Sequence, residues 1–139
     1  MKYLLDTCVI SELVARNPLG KVVEWIDRID PEQVYLSVVT IGEIRKGIQK
    51  LPDSQRKETL QEWLTYDLLD RFQGRILPID TEVMLTWGRL VGNLELQGKK
   101  MAAMDSLIAA IVLHGGLTLA TRNEEDFKHA EIPLANPWT

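Results

Sequence analysis

A single aspartate set inside an apolar run constrains this chain more than any other feature: Tyr3-Leu4-Leu5-Asp6-Thr7-Cys8-Val9-Ile10-Ser11-Glu12. The run reads as a buried strand whose carboxyl end presents the Asp6 carboxylate. Two small polar residues follow, and then a polar segment that starts a helix. In an open α/β sheet that end of the strands is where ligands bind. An acid in such surroundings is costly unless something pairs with it. The rest of the sequence therefore has to be read for side chains that reach the same edge.

Helical and extended patterns alternate downstream. Glu12-Leu13-Val14-Ala15-Arg16 predicts a short helix stopped by Asn17-Pro18, since the residue before proline avoids the α region. Gly20 to Ile29 resumes a helical period, with Val22, Trp25, Ile26 and Ile29 on one face, until Asp30-Pro31. Val34 to Val39 is β-branched and nearly all apolar, as suits a strand buried on both faces. Thr40 to Leu51 predicts a helix with Thr40 as N-cap and Glu43 in capping-box position. After Pro52-Asp53-Ser54 a long helix carries Leu60, Trp63, Leu64 and Leu68 as an apolar stripe, ending at Gly74.

Arg75 to Ile79 predicts a third strand, placed at an edge or a strand end by Pro78. Asp80 and Thr81 open a helix with Val83, Trp87, Leu90, Val91 and Leu94 on its buried face. Beyond the polar break Gly98-Lys99-Lys100, Ala103 to His114 is the most apolar helix, terminated by Gly115-Gly116. Leu117 to Thr121 is a fourth strand, Asp126-Phe127 falls in a turn or short helix, and Ile132-Pro133-Leu134 predicts a peripheral fifth strand. Strands alternating with helices imply a parallel sheet covered on both faces. The expectation is one three-layer α/β/α sandwich over residues 1–139, with a central parallel sheet of four or five strands.

Parallel strands aim their carboxyl ends at one rim. Asp6, Ser37, Thr40 and Thr121 lie at such ends, Glu43 lies one turn into the following helix, and Asn123 and Asp126 follow the fourth strand. Asp105 is the odd case. On the reading that a helix running antiparallel to the strand it feeds starts at the far end, Asp105 joins the rim only if the glycine break redirects it.

Each acid has a plainer role to set beside a functional one. Asp6 could cap a helix, Glu43 could complete a capping box or pair with Lys46, and Asp105 could complement a helix dipole. The thoroughly apolar surroundings of Asp6 and Asp105 favour function there. Asn123 and Asp126 sit beside Glu124 and Glu125 in what reads as a solvated turn. His114 and His129 are not spaced as a metal pair; a helix-end cation and a surface position fit them better.

Carboxylates gathered at one rim repel one another unless a cation sits among them. All-oxygen ligation without histidine or thiolate points to Mg²⁺ or Mn²⁺ rather than zinc, and such ions activate water and clamp a scissile phosphate. The formal charge of -4 argues against nucleic-acid binding through a broadly basic surface. A bound metal would supply the missing positive field, helped by Arg45, Lys46, Lys99 and Lys100, although a solvated face suits each of those four better. The single cysteine, Cys8, cannot form an internal disulfide, and the N-terminus has no signal-peptide pattern. With no run long enough to span a bilayer, a cytoplasmic protein without a membrane partner is expected.

At this point a resemblance enters. Leu4-Leu5-Asp6-Thr7-Cys8-Val9-Ile10-Ser11-Glu12, Leu36-Ser37-Val38-Val39-Thr40-Ile41-Gly42-Glu43-Ile44-Arg45-Lys46-Gly47, Ala103-Met104-Asp105-Ser106-Leu107-Ile108-Ala109-Ala110 and Leu119-Ala120-Thr121-Arg122-Asn123-Glu124-Glu125-Asp126-Phe127 resemble, in this order, the PIN-domain ribonucleases of the VapC/FitB-like toxin group. Asn136-Pro137-Trp138 does so too. The resemblance implies a Mg²⁺-dependent (or Mn²⁺-dependent) endoribonuclease, the toxin of a type II toxin–antitoxin pair, with an acidic site of Asp6, Glu43 and Asp105. Asp6 and Asp105 would hold metal, Asp126 would complete the site with Asn123 as a neutral helper, and Thr7 and Thr121 would orient the carboxylates. Arg45 and Lys46 are the expected RNA contacts. The resemblance further implies a cognate antitoxin, a homodimer and a larger toxin–antitoxin assembly; Leu13, Val14 and Val22 are candidates for the antitoxin groove, with core packing as the equal alternative. The family often has asparagine where Cys8 stands.

Two other readings compete. A receiver-like or dehalogenase-like phosphotransfer domain would use Asp6 as phosphoacceptor, but the second aspartate such phosphatases want two residues on is Cys8, and the paired acids and lysine of receivers are not evident. An inactive binding module of the same fold is disfavoured because all three principal acids are present.

Overall fold

The computed structural model describes residues 1–139. Strands β1 (Tyr3–Leu5), β2 (Val34–Ser37), β3 (Ile76–Leu77), β4 (Thr118–Ala120) and β5 (Leu134–Ala135) form one sheet in the order β3-β2-β1-β4-β5. Every neighbouring pair is parallel. Around it lie α1 (Thr7–Val14), α2 (Gly20–Asp27), α3 (Val38–Gln49), α4 (Gln55–Trp63), α5 (Leu69–Arg71), α6 (Thr81–Leu96), α7 (Ala103–Gly115) and α8 (Glu124–Phe127). A π-helical turn, Leu64–Leu68, joins α4 to α5.

The layering follows from the two-residue period of the strands. Leu4 and Leu119 pack with Ile108 and Ile111 of α7 and Phe127 of α8, whereas their neighbours Leu5 and Ala120 face Val9, Val22, Ile44 and Phe72 on the other side. One face is thus covered by α6, α7 and α8 and the other by α1 to α5: the expected three-layer sandwich with five parallel strands. The two-residue edge strand β3 is secured by Arg75. Its guanidinium donates to the carbonyls of Pro31 and Val34 at 2.5 Å and of Arg71 at 2.7 Å, and stacks 4.9 Å from the Phe72 ring.

Several element boundaries differ from the sequence reading. The first helix starts at Thr7, because Asp6 caps it by accepting a hydrogen bond from the Thr7 amide, so Cys8 is helical rather than extended and Arg16 lies beyond the helix. Strand β2 stops at Ser37, which is the N-cap of α3 through a 3.1 Å bond from the Thr40 amide. Val38 and Val39 are therefore helical, Thr40 is not the cap, and Glu43 has no capping-box partner there. Short polar side chains compete for the backbone at strand ends, and here the earlier one in sequence takes the position each time. The fifth strand is shifted to Leu134–Ala135, since Pro133 has no amide to donate. Val22 is fully buried, which makes it core rather than groove.

Candidate active site

The strand ends meet as the parallel pairing requires. Asp6 continues β1, its amide donating to Ala120 of β4 at 2.9 Å, and its carboxylate accepts bonds from the Thr7 amide and the Thr121 hydroxyl, both at 2.8 Å. The Thr121 hydroxyl in turn accepts from the Asn123 amide at 3.0 Å. From β2 and α3, Glu43 accepts a 2.6 Å bond from the Thr7 hydroxyl, which is also hydrogen-bonded to the Thr40 hydroxyl at 3.2 Å. Thr7 thus links the first and second chain segments, and Thr121 links the first and fourth.

Asp105 reaches this rim without any redirection by the glycine break. Helix α7 ends beside the start of β4, where the Thr118 amide bonds to Lys2, and its core side chains Ile108 and Ile111 pack across the sheet. Because it runs antiparallel to β4, its first turn sits at the edge where the strands finish. The expectation that an antiparallel course would carry Asp105 away was wrong: antiparallelism is what brings it in.

Electrostatics report the same gathering. Asp6 is almost wholly buried, and that burial pushes its carboxyl pKa up, opposed by the bonds from Thr121 and Thr7 and reinforced by the charge of Glu43. Asp105 is raised to about 6, first by burial and then by the charges of Asp6, Asp126 and Glu43. Asp126 is thus within electrostatic reach, on the exposed side of α8. The Asp6 and Glu43 side chains rest on protein hydrogen bonds rather than on one another, and no three acidic, histidine or cysteine groups are drawn into a closed ligand shell. Their donor set is nevertheless all oxygen, and a hard divalent cation would relieve the charge crowding that disfavours ionisation of Asp6 and Asp105.

Comparison with known proteins agrees with this fold. The sequence profile of the PIN domain matches residues 3–133. The chain belongs to the PIN-domain family. It is 40% identical to the toxin FitB of Neisseria gonorrhoeae over 135 residues, covering 97% of each chain. It is 35% identical to the VapC ribonuclease Y4jK of Sinorhizobium fredii, covering 97% of this chain and 96% of that one. The solved structure of FitAB bound to an IR36 DNA fragment superposes with a TM-score of 0.92 at 38% identity, over 99% of this chain and 96% of the other.

In this PIN domain the two proposed RNA contacts are not equivalent. Both are exposed, but Arg45 bonds to Gln49 at 2.9 Å and stands two residues from Glu43, on a different side of α3. Lys46, three residues on, shares the side of Glu43. Sequence reasoning placed Ser37 at the rim but missed its role as the cap of α3; fully buried, it lies 3.4 Å from the Thr40 hydroxyl. It also missed the surroundings of Cys8. The thiol is 3.9 Å from Asp6 Oδ2 and 3.7 Å from Thr121 Oγ1, and burial pushes its pKa up, so it remains a neutral thiol.

A raised carboxyl pKa has a consequence for stability. The folded state holds the Asp105 proton up to about pH 6, whereas the unfolded chain releases it near its ordinary 3.8. The contribution is present below pH 4 and is lost as pH rises through 6. In chelator, Asp105→Asn is expected to gain stability over wild type with rising pH, by about 1 kcal/mol at pH 7 after allowance for the half-exposed position. Urea unfolding at pH 4.5, 6 and 7.5 checks this, and a gain that does not grow with pH contradicts it.

Proposed function

We propose that this chain is a metal-dependent endoribonuclease, a single PIN-like nuclease domain acting as the toxin of a type II toxin–antitoxin pair in the cytoplasm. The observation that carries the reading is the gathering of Asp6, Glu43, Asp105 and Asp126 at one rim, where burial first, and then the charges of Asp6, Asp126 and Glu43, raise Asp105 to about 6. Relatives named as toxin and as ribonuclease support it, and nucleases of this family generally need a divalent metal.

In this reading Asp6 and Asp105 hold Mg²⁺, with Mn²⁺ as substitute, and Glu43 and Asp126 complete the acidic set. When bound, the ion supplies an activated water and neutralises charge on the phosphate. The protein's own share is positioning. Thr121 and the Thr7 amide fix the Asp6 carboxylate, the Thr7 hydroxyl fixes Glu43, and the Asn123 amide fixes Thr121. Lys46, and more remotely Arg45, attract the RNA backbone. Asn123 contributes its amide, which leaves Asp126 as the fourth carboxylate.

A cognate antitoxin is the proposed partner, acting on a homodimer that assembles further with it. A groove of about 670 Å³ between α1, α2 and α4, lined by Leu13, Val14, Val23, Ile26 and Trp63, suits an apolar helix face. No helix is long and apolar enough to cross a membrane.

Purified protein incubated with total RNA is expected to cut at discrete positions in Mg²⁺ or Mn²⁺ and to stop cutting in chelator. Undiminished cleavage in chelator, or none in either metal, overturns the reading.

A further inference from the structure

Next to the acids lies a smaller slot of about 180 Å³ between α1, α3 and α4. Thr7 and Glu43 line it at the acidic rim, and Leu51, just past the end of α3, and Arg56, in the first turn of α4, line it further from that rim. It is bounded by the Trp63 indole and floored by aliphatic side chains such as Ile44. Glu43 and Gly47 stand four residues apart on α3, the spacing that keeps side chains on one side of a helix, and Leu51 continues the row just past the helix end. Position 47 is the gap in that row: a Cβ there would meet no atom within 4 Å. The slot is open because this residue has no side chain, not because the backbone needs glycine, since Gly47 has no positive φ. Arg56 is half-buried yet enters no ion pair.

We propose that this slot receives one nucleobase of the RNA strand beside the cleaved phosphodiester, with Trp63 as its stacking face and Arg56 on the adjoining phosphate. The assignment rests on the ribonuclease reading above and adds to it a specificity subsite. Three features carry it. The slot begins at two residues of the acidic rim, so whatever fills it extends directly from the reacting bond. Its volume falls below the roughly 300 Å³ of pockets for drug-sized ligands and suits a single planar ring system. An apolar recess with an aromatic wall and one free cation is the combination that single-strand readers use, stacking a base while pairing its phosphate. With a net charge of -4, the chain needs such local cations to hold RNA at all.

Gly47→Leu tests it, because leucine favours the helix more than glycine does and would fill the slot beside Glu43. Cut positions in total RNA are mapped for wild type, Gly47→Leu and Arg56→Gln. Rates are then measured on an oligonucleotide copied from the strongest cut and carrying 2-aminopurine next to it. Gly47→Leu is expected to lower kcat/KM at least about tenfold, to flatten the base preference beside the cut and to abolish quenching of the 2-aminopurine. Its Mn²⁺ binding by calorimetry is expected to stay unchanged. Arg56→Gln is expected to bind the oligonucleotide more weakly and with a shallower salt dependence.

Wild-type cutting with variants that keep its rate, preference and quenching overturns the slot alone. So does a parallel loss of Mn²⁺ binding in Gly47→Leu, which would assign the effect to the acids, or unchanged RNA cleavage with weakened binding of a protein partner, which would make the occupant a peptide. A wild type that cuts no RNA overturns the ribonuclease reading, and the slot assignment with it.

Discussion

Asp6→Asn is expected to lower RNA cleavage by more than about 100-fold while leaving the fold intact. Even residues that only support metal ligands cost about 10- to 100-fold when replaced, and Asp6 is proposed as a ligand itself. The substitution keeps the size of the side chain. Asparagine is also as good an N-cap as aspartate, so the bond from the Thr7 amide that starts α1 survives. The Thr121 hydroxyl, which now donates to the carboxylate at 2.8 Å, can turn to accept from the new amide. Removing a buried charge that its surroundings disfavour should leave the metal-free protein at least as stable as before. Asp6→Ala separates the two duties of this residue: the same loss of cleavage, with about 1 kcal/mol of stability lost as well for want of the cap. Cleavage assays in Mg²⁺ alongside thermal melts distinguish them. Wild-type cleavage by Asp6→Asn would remove the carboxylate from the chemistry.

The largest stability effect is expected at Phe127. It is the bulkiest of the fully buried side chains, 1% exposed, and it packs into the core layer formed by α7, β4 and the segment leading to β5. Phe127→Ala should cost about 3–5 kcal/mol, because the surrounding layer is built from helix and strand and cannot collapse into the space. Against a total stability of about 5–15 kcal/mol this is a large share, and the melting temperature should fall by about 10 °C or more. The adjacent Asp126 is held by the same short helix, so cleavage should fall even at temperatures where the variant is folded. Phe127→Leu, which keeps most of the volume, is expected to recover most of both. Calorimetry and urea unfolding read the effect, and a melting temperature within 2–3 °C of wild type (about 1 kcal/mol or less) would contradict it.

How much of this could be read from residues alone varied with the kind of signal. Strand and helix order was legible because the apolar residues keep strict periods: Val34 to Leu36 and Leu117 to Ala120 leave little choice but a buried strand. The caps were harder. Asp6 with Thr7, and Ser37 with Thr40, each offer more than one polar side chain to an orphan amide. Which one wins depends on where sheet pairing stops, as it does at Leu5 and Ser37. Asp105 stood out by its apolar neighbours, but its placement was argued wrongly because the direction of a helix relative to a strand is a tertiary fact. The slot at Gly47 could not have been seen. A glycine within a helical pattern carries no mark of what its missing side chain leaves open, and the Arg75 clamp on the two distant carbonyls of Pro31 and Val34 has no local signature either.

The capping of α1 by Asp6 reaches beyond the helix start. Eight residues further along, the same rod ends at Val14 in the wall of the large apolar groove, with Ile10 and Leu13 beside it. Cargo settling in that groove leans on one end of a stiff lever whose other end is the most deeply buried acid of the rim. A tilt too small to alter the fold would still be transmitted to the carboxylate, so occupancy of the groove and readiness for chemistry share a mechanical linkage about 12 Å long.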